Sequence, residues 1–171
     1  MEELRVTRFP ETFKKVAKDL ASTYGSTYHG CSQSILATFM EILGIEDEKV
    51  LMAASCLAGG ATRCLTCGAI SGGLMVLGLR YGRRRLEDGP EAIEPAMEPA
   101  GEFVDRFVEA YGTTDCCELT GYDFKDQAQF QAFMDSEEAV NKCTERVTKA
   151  AGWVAEVISK WDGIKTEQAQ N

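Results

Sequence analysis

A chain of 171 residues with 44% apolar and 26% charged residues has the composition of one globular domain, which excludes wholesale disorder and a multi-domain machine. Eighteen Lys and Arg against 27 Asp and Glu leave a net charge of −9, whose field repels polyanions, so neither nucleic acid nor an anionic membrane is expected as a partner. Helical periodicity runs along the chain in order. After Pro10, Phe13, Val16, Ala17, Leu20 and Tyr24 recur at three- and four-residue steps until Gly25. From Ser32, the residues Ile35, Leu36, Phe39, Met40 and Leu43 repeat the pattern as far as Gly44. Asp47 is placed to cap a third helix through Val50, Leu51, Ala54 and Leu57, closed by Gly59-Gly60. A fourth is expected from Thr66 to Tyr81. Pro95 and Pro99 then predict an interrupted or kinked segment, before Phe103, Phe107 and Tyr111 resume the stripe to Gly112. A weak helix near Gln127 to Met134 precedes a long one, capped by Ser136 and expected to end near Trp161.

No run alternates apolar and polar residues with β-branched enrichment, so the expected fold is all-α, a single domain of about six or seven helices over residues 1–162. The polar tail over 163–171 is expected to fray. MEELRVTRF has no apolar core of a secretory leader. The longest apolar stretch, Ala69 to Leu79, is broken by Gly72, Gly73 and Gly78 and is too short for a bilayer. A reducing cytoplasm is the expected location.

Seven cysteines are an odd number, about 4% of the chain and well below the density of a disulfide scaffold. In a reducing compartment such cysteines more often bind metal or carry redox chemistry than form bridges. Cys31 and Cys67 each fall at a helix start, where unpaired N–H groups favour thiolate and lower the pKa. Cys116 and Cys117 open a short turn. Cys143 and Cys56 fall on apolar stripes and read individually as small core residues. Cys64 and Cys67 form a Cys-x-x-Cys pair, here without the βαβ setting of thioredoxin or the following His of a c-type haem site. His29, the single histidine, precedes Cys31 and reads as a loop residue or as a further ligand. Arg80, Arg83, Arg84 and Arg85 read as a solvated helix end.

The segment from Thr66 through Cys67-Gly68-Ala69-Ile70-Ser71-Gly72-Gly73 to Leu79 resembles the signature of the C-GCAxxG-C-C family of redox-active proteins. The family label writes Gly before Cys, whereas its motif runs Cys-Gly-Ala-x-x-Gly, which this chain matches in full. Gly30-Cys31-Ser32-Gln33 is similar to the family's first cysteine block, Gly112 to Gly121 to its third, and Lys142-Cys143 to its fourth. The resemblance spans residues 30 to 150. It implies four functional cysteines, Cys31, Cys67, Cys116 and Cys143, and so reverses the reading of Cys143 taken alone. It leaves Cys56, Cys64 and Cys117 as extras, with Cys116 chosen over Cys117 by its distance from Gly112.

Four converging thiolates suit a [2Fe–2S] or similar cluster passing electrons to a redox partner protein. The same residues could instead cycle between dithiol and disulfide with no metal. A third reading is a structural zinc site in a helical interaction module, for which Cys64, Cys117 and His29 are further candidate ligands. Reduced cysteines in a helical homodimer with no chemistry complete the alternatives. Small-residue faces around Gly72 and Gly78 permit close helix packing, within one chain or across such a dimer.

Overall fold

The computed structural model describes residues 10–169, with side chains described as far as Ile164; residues 1–9 and the last two residues lie outside the described residues. Eight α-helices are present among the described residues: α1 (Pro10–Tyr28), α2 (Cys31–Ile42), α3 (Glu48–Ala53), α4 (Gly68–Tyr81), α5 (Glu94–Tyr111), α6 (Cys116–Thr120), α7 (Gln127–Asp135) and α8 (Glu137–Ala169). The all-α expectation holds, with a slightly higher helix number because short α6 has too few turns to show a period. The sole extended pairing among the described residues is an isolated antiparallel bridge between Thr66 and Asp115.

Several boundaries differ from expectation for identifiable reasons. Gly25 does not stop α1; it is buried inside it, where a Cβ would come 3.1 Å from the Thr144 methyl of α8. Pro99 lies inside α5 without ending it, and Pro95 sits in the first turn, where its missing N–H costs nothing. The long helix α8 passes Trp161 and the start of the expected frayed tail and continues to Ala169. Lys165, Glu167, Gln168 and Ala169 are good helix formers, and no proline intervenes. Asp47 caps α3 by accepting from the Lys49 N–H at 2.9 Å, and Ser136 caps α8 by accepting from the Ala139 N–H at 3.2 Å, as expected.

Helix α8 forms the spine. Its stripe of Val147, Val154, Val157 and Ile158 is fully or almost fully buried against α1, α4 and α5. Ile35, Leu36 and Phe39 of α2, Ile70, Val76 and Leu77 of α4, and Phe103 and Phe107 of α5 complete this core. At the far end of α4, Arg80 donates to the buried Asp162 of α8 at 2.9 Å and Tyr81 donates to the same carboxylate at 3.0 Å. Part of the arginine cluster therefore ties two helices together. A second, smaller core gathers Cys116, Phe124 and Phe133, with Phe124 and Phe133 rings 4.9 Å apart.

The glycines of α4 decide how near its neighbours come. A Cβ on Gly72 would overlap the Ser32 carbonyl oxygen and lie 2.9 Å from Ser32 Cα. On Gly73 it would lie 2.5 Å from the Phe103 ring. Gly78, on the same helix, has open space around it. Gly72→Ala should therefore destabilise the fold by about 1–3 kcal/mol, because the obstructing atoms are backbone. Gly78→Ala should stabilise it by up to about 1 kcal/mol through helix propensity alone. Urea unfolding of the two variants checks this, and the opposite ranking would refute the packing account.

Candidate functional site

Cys31 is the first residue of α2, presented by two consecutive left-handed residues, His29 (φ 58°) and Gly30 (φ 74°). The turn is closed by the Ser34 hydroxyl, which donates to the carbonyls of His29 and Gly30 at 3.0 and 3.1 Å. The sulfur of Cys31 occupies the place a Cβ on Gly68 would need. The motif glycine after Cys67 is thus the hole into which the first cysteine fits.

Cys67 is the N-cap residue of α4, one position before the helix and not within its first turn. Cys116 opens α6. The Thr66–Asp115 bridge joins these two segments: the Cys67 N–H donates to the Thr114 carbonyl at 2.8 Å and the Cys116 N–H to the Leu65 carbonyl at 3.0 Å. Both thiols are buried, 7% and 4% exposed. Cys143 reaches the same place from α8 and accepts from Arg146 Nη1 at 3.5 Å, while Nη2 of that guanidinium donates to the Leu119 carbonyl.

Cys31, Cys67, Cys116 and Cys143 all line one cavity of about 360 Å³. Phe124, Phe130, Phe133, Leu119 and Val140 supply its apolar wall, and exposed His29 stands at its edge. Cys143, a core residue when read by its stripe alone, is a member of the site. Arg146 was not legible as a functional residue from composition, although its spacing of three from Cys143 places both on one helix face. It is a cationic side chain lining the cavity.

The four thiols differ electrically. Cys67 is lowered from an ordinary value of 9 to about 7, chiefly because the Cys116 thiol donates to its sulfur; the Ala69 and Ile70 N–H groups and the Arg146 charge assist, and burial opposes. Cys116 is pushed up by the same hydrogen bond and by burial, and so keeps its proton. Cys31 is pushed up to about 11 by burial and by the neighbouring Cys67 charge. This reverses the expectation that both helix-start cysteines are acidified: desolvation of Cys31 outweighs the N–H groups of Gly59 and Ser32. Cys143 is also raised, mainly by burial, with Arg146 partly offsetting it.

The three remaining cysteines depart from the core-and-bystander reading. Cys56 is exposed because α3 ends at Ala53 and the chain tightens into a 3₁₀ segment that breaks the stripe. Cys64 and Cys117 form a disulfide with Cα atoms 4.9 Å apart, where a reducing environment suggested none. Its signal lay in the antiparallel register of two segments 53 residues apart, which no local pattern displays. Their sulfurs and an Asp123 carboxylate oxygen lie within 4.8 Å of one another, the one such close group among the described residues, but the disulfide leaves neither sulfur a thiolate for a metal. His29 is not part of this group.

No three of Cys31, Cys67, Cys116 and Cys143 are gathered so closely, whereas tetrahedral zinc at about 2.3 Å would hold its sulfurs about 3.8 Å apart. A cluster relaxes that demand because its four thiolates are shared between irons. The four-sulfur donor set and the surrounding apolar wall fit such a group.

The family model described as "Putative redox-active protein (C_GCAxxG_C_C)" matches residues 29–157. The chain belongs to this family. No curated protein and no solved structure matches it. In the C_GCAxxG_C_C chain, the signature is a packing device: Cys67 stands at the N-cap of α4, Gly68 admits Cys31, and Gly72 admits the α2 backbone. None of the helices among the described residues is long and apolar enough to cross a membrane.

Because Cys67 is acidified mainly by the Cys116 thiol, its iodoacetamide alkylation should rise with pH half-maximally near 7. Cys116→Ala removes the donor that favours the anion, so the midpoint should move up toward 9. Mass-spectrometric mapping of Cys67 across a pH series reads this directly. An unmoved midpoint would mean the hydrogen bond is not the cause.

Proposed function

We propose that this protein is a dithiol–disulfide redox protein in which Cys67 is the attacking thiolate and Cys116 the resolving thiol. The observation that carries this reading is the buried pair itself, brought together by the Thr66–Asp115 bridge and its flanking hydrogen bonds, with Cys67 favouring the anion and Cys116 its proton. Such inequality is what two-step exchange requires. The Cys67 thiolate attacks one sulfur of a substrate disulfide; the new S–S bond forms as the substrate's own bond breaks and its second sulfur leaves as thiolate. Cys116 then gives up its proton, attacks the Cys67 sulfur and expels the first substrate sulfur. The two protein thiols end as one disulfide, and the substrate disulfide as two thiols.

Cys31 and Cys143 complete the wall as neutral thiols, and Arg146 counters the negative charge carried by Cys67. The apolar side of the cavity suits a substrate that shields the reacting sulfurs from water, and a partner redox protein would restore the dithiol.

Titration in glutathione buffers followed by disulfide mapping should show a Cys67–Cys116 bond forming as the potential rises. Cys116→Ser should leave glutathione trapped on Cys67, and Cys67→Ser should abolish both products. A Cys67 that stays reduced and unmodified throughout would overturn the assignment.

A second reading is favoured by the four thiols facing one cavity. Cys31, Cys67, Cys116 and Cys143 would hold an iron–sulfur cluster, which would supply one-electron transfer. Iron and acid-labile sulfide in protein purified without oxygen support it; iron-free protein after reconstitution excludes it.

A further inference from the structure

The Cys64–Cys117 disulfide stands outside the four-thiol cavity but is built on the same pairing of segments. With Thr66 opposite Asp115, the antiparallel register puts Cys64 opposite Cys117 and sets Cys67 diagonally from Cys116. The result is two cysteine pairs on one bridge. The inner pair, Cys67 and Cys116, is buried and lines the cavity; the outer pair is half-buried and does not. Covalent adjacency links them: Cys116 and Cys117 are neighbours, and Cys64 and Cys67 have the Cys-x-x-Cys spacing that closes a disulfide in dithiol oxidoreductases.

The backbone before Cys64 is unusual in the same direction. Gly59, Gly60, Ala61 and Thr62 form a left-handed turn, with φ between 52° and 62°, and Cys64 follows with φ 58°. For Ala61, Thr62 and Cys64 this conformation is strained and persists only where the surroundings enforce it. One end of the turn is enforced by packing, since a Cβ on Gly60 would come 2.5 Å from the Leu65 carbonyl and 2.7 Å from Cys116 Cβ. At the other end the restraint is the bond to Cys117.

We infer that Cys64–Cys117 is a second redox couple of this site, taking an electron pair from the Cys67–Cys116 dithiol by internal thiol–disulfide exchange and carrying it to the surface. The inference rests on Cys67 and Cys116 being the reactive pair. In the first step the Cys67 thiolate attacks the Cys64 sulfur; the Cys67–Cys64 bond forms, the Cys64–Cys117 bond breaks, and Cys117 leaves as thiolate and takes the Cys116 proton. In the second, the Cys116 thiolate attacks Cys67, the Cys67–Cys64 bond breaks, and Cys64 leaves and is protonated. One disulfide is formed and one reduced, so no outside oxidant enters. Breaking the bond to Cys117 also removes a restraint on the left-handed backbone of Cys64. The Asp123 carboxylate, 3.3 Å from the Cys64 sulfur, is placed to accept a hydrogen bond from the released thiol.

The test starts from protein holding only the Cys64–Cys117 bond, with its five other cysteines reduced. It is incubated at pH 8 without added thiol, quenched in acid, alkylated and mapped by mass spectrometry. A fraction of the wild-type chains should acquire Cys67–Cys116 with Cys64 and Cys117 alkylated, at an unchanged total of five free thiols. Cys116→Ser should halt midway, accumulating Cys64–Cys67 with Cys117 free. Cys64–Cys117 as the sole linkage at all times in both proteins would overturn the relay. The Cys64→Ser, Cys117→Ser double variant separates this failure from that of the underlying reading. If its Cys67–Cys116 pair still oxidises in glutathione buffer, the relay alone falls; if that pair never forms, the reactive-pair assignment falls with it.

Discussion

The site exists because two helices approach more closely than side chains normally allow. Gly68 and Gly72 strip one face of α4, and the first turn of α2 settles into that face with Ser32 backbone against Gly72 and the Cys31 sulfur against Gly68. Two residues four apart in a helix lie on the same side, so the spacing of the glycines and the line of approach are one fact. Helix propensity alone disfavours each glycine here by about 1 kcal/mol relative to alanine. The packing of Ile35, Leu36 and Phe39 onto Ile70 and Leu77 more than offsets that, since each large side chain removed from water contributes roughly 1.5–3 kcal/mol. The Ser32 hydroxyl, fully buried in this contact, is satisfied by the Ala54 carbonyl at 2.8 Å, so closeness leaves no polar group stranded.

A second constraint acts beside the first. The segments around Thr66 and Asp115 pair over a single bridge, too short to be a sheet and long enough to fix a register. That register brings Cys116 to Cys67 and Cys64 to Cys117 at once. Asp115 reinforces it from the far side, its carboxylate capping α6 by accepting from the Cys117 and Glu118 N–H groups at 2.8 and 2.9 Å. The glycine face therefore delivers Cys31, the bridge delivers Cys116, and the spine helix α8 delivers Cys143 with Arg146.

Much of this was legible before any coordinates. Periodicity located the major helices, and Asp47 and Ser136 announced two of their starts through ordinary capping chemistry. The four site cysteines followed from the match of ordered motifs rather than from physics, since Cys143 on its stripe is indistinguishable from a core residue. Three features were hidden for physical reasons. Gly25 and Pro95 carry stop signals that tertiary packing and first-turn placement override. The Cys64–Cys117 bond depends on a register between distant segments, which leaves no local trace. The raised Cys31 thiol depends on burial, and helix position alone gives the wrong sign.

The contrast between Cys31 and Cys67 explains why the cavity favours a thiolate at one of its four thiols and disfavours it at the others. Both sulfurs lie at helix starts, yet a thiolate at Cys67 makes a second one at Cys31 unfavourable in the same cavity. An apolar wall of phenylalanines offers nothing to screen that repulsion, and the chain as a whole is already at −9. The anion therefore settles where several donors converge, at Cys67, beside the Cys116 thiol, the α4 N–H groups and the Arg146 charge. Its presence then raises Cys31, Cys116 and Cys143 in turn. Once Cys67 is consumed in a disulfide, that charge is gone and the hydrogen bond that kept Cys116 protonated goes with it. In the proposed exchange the first reaction would thus release the second thiol for attack, so the order of the two steps would follow from the electrostatics of the cavity.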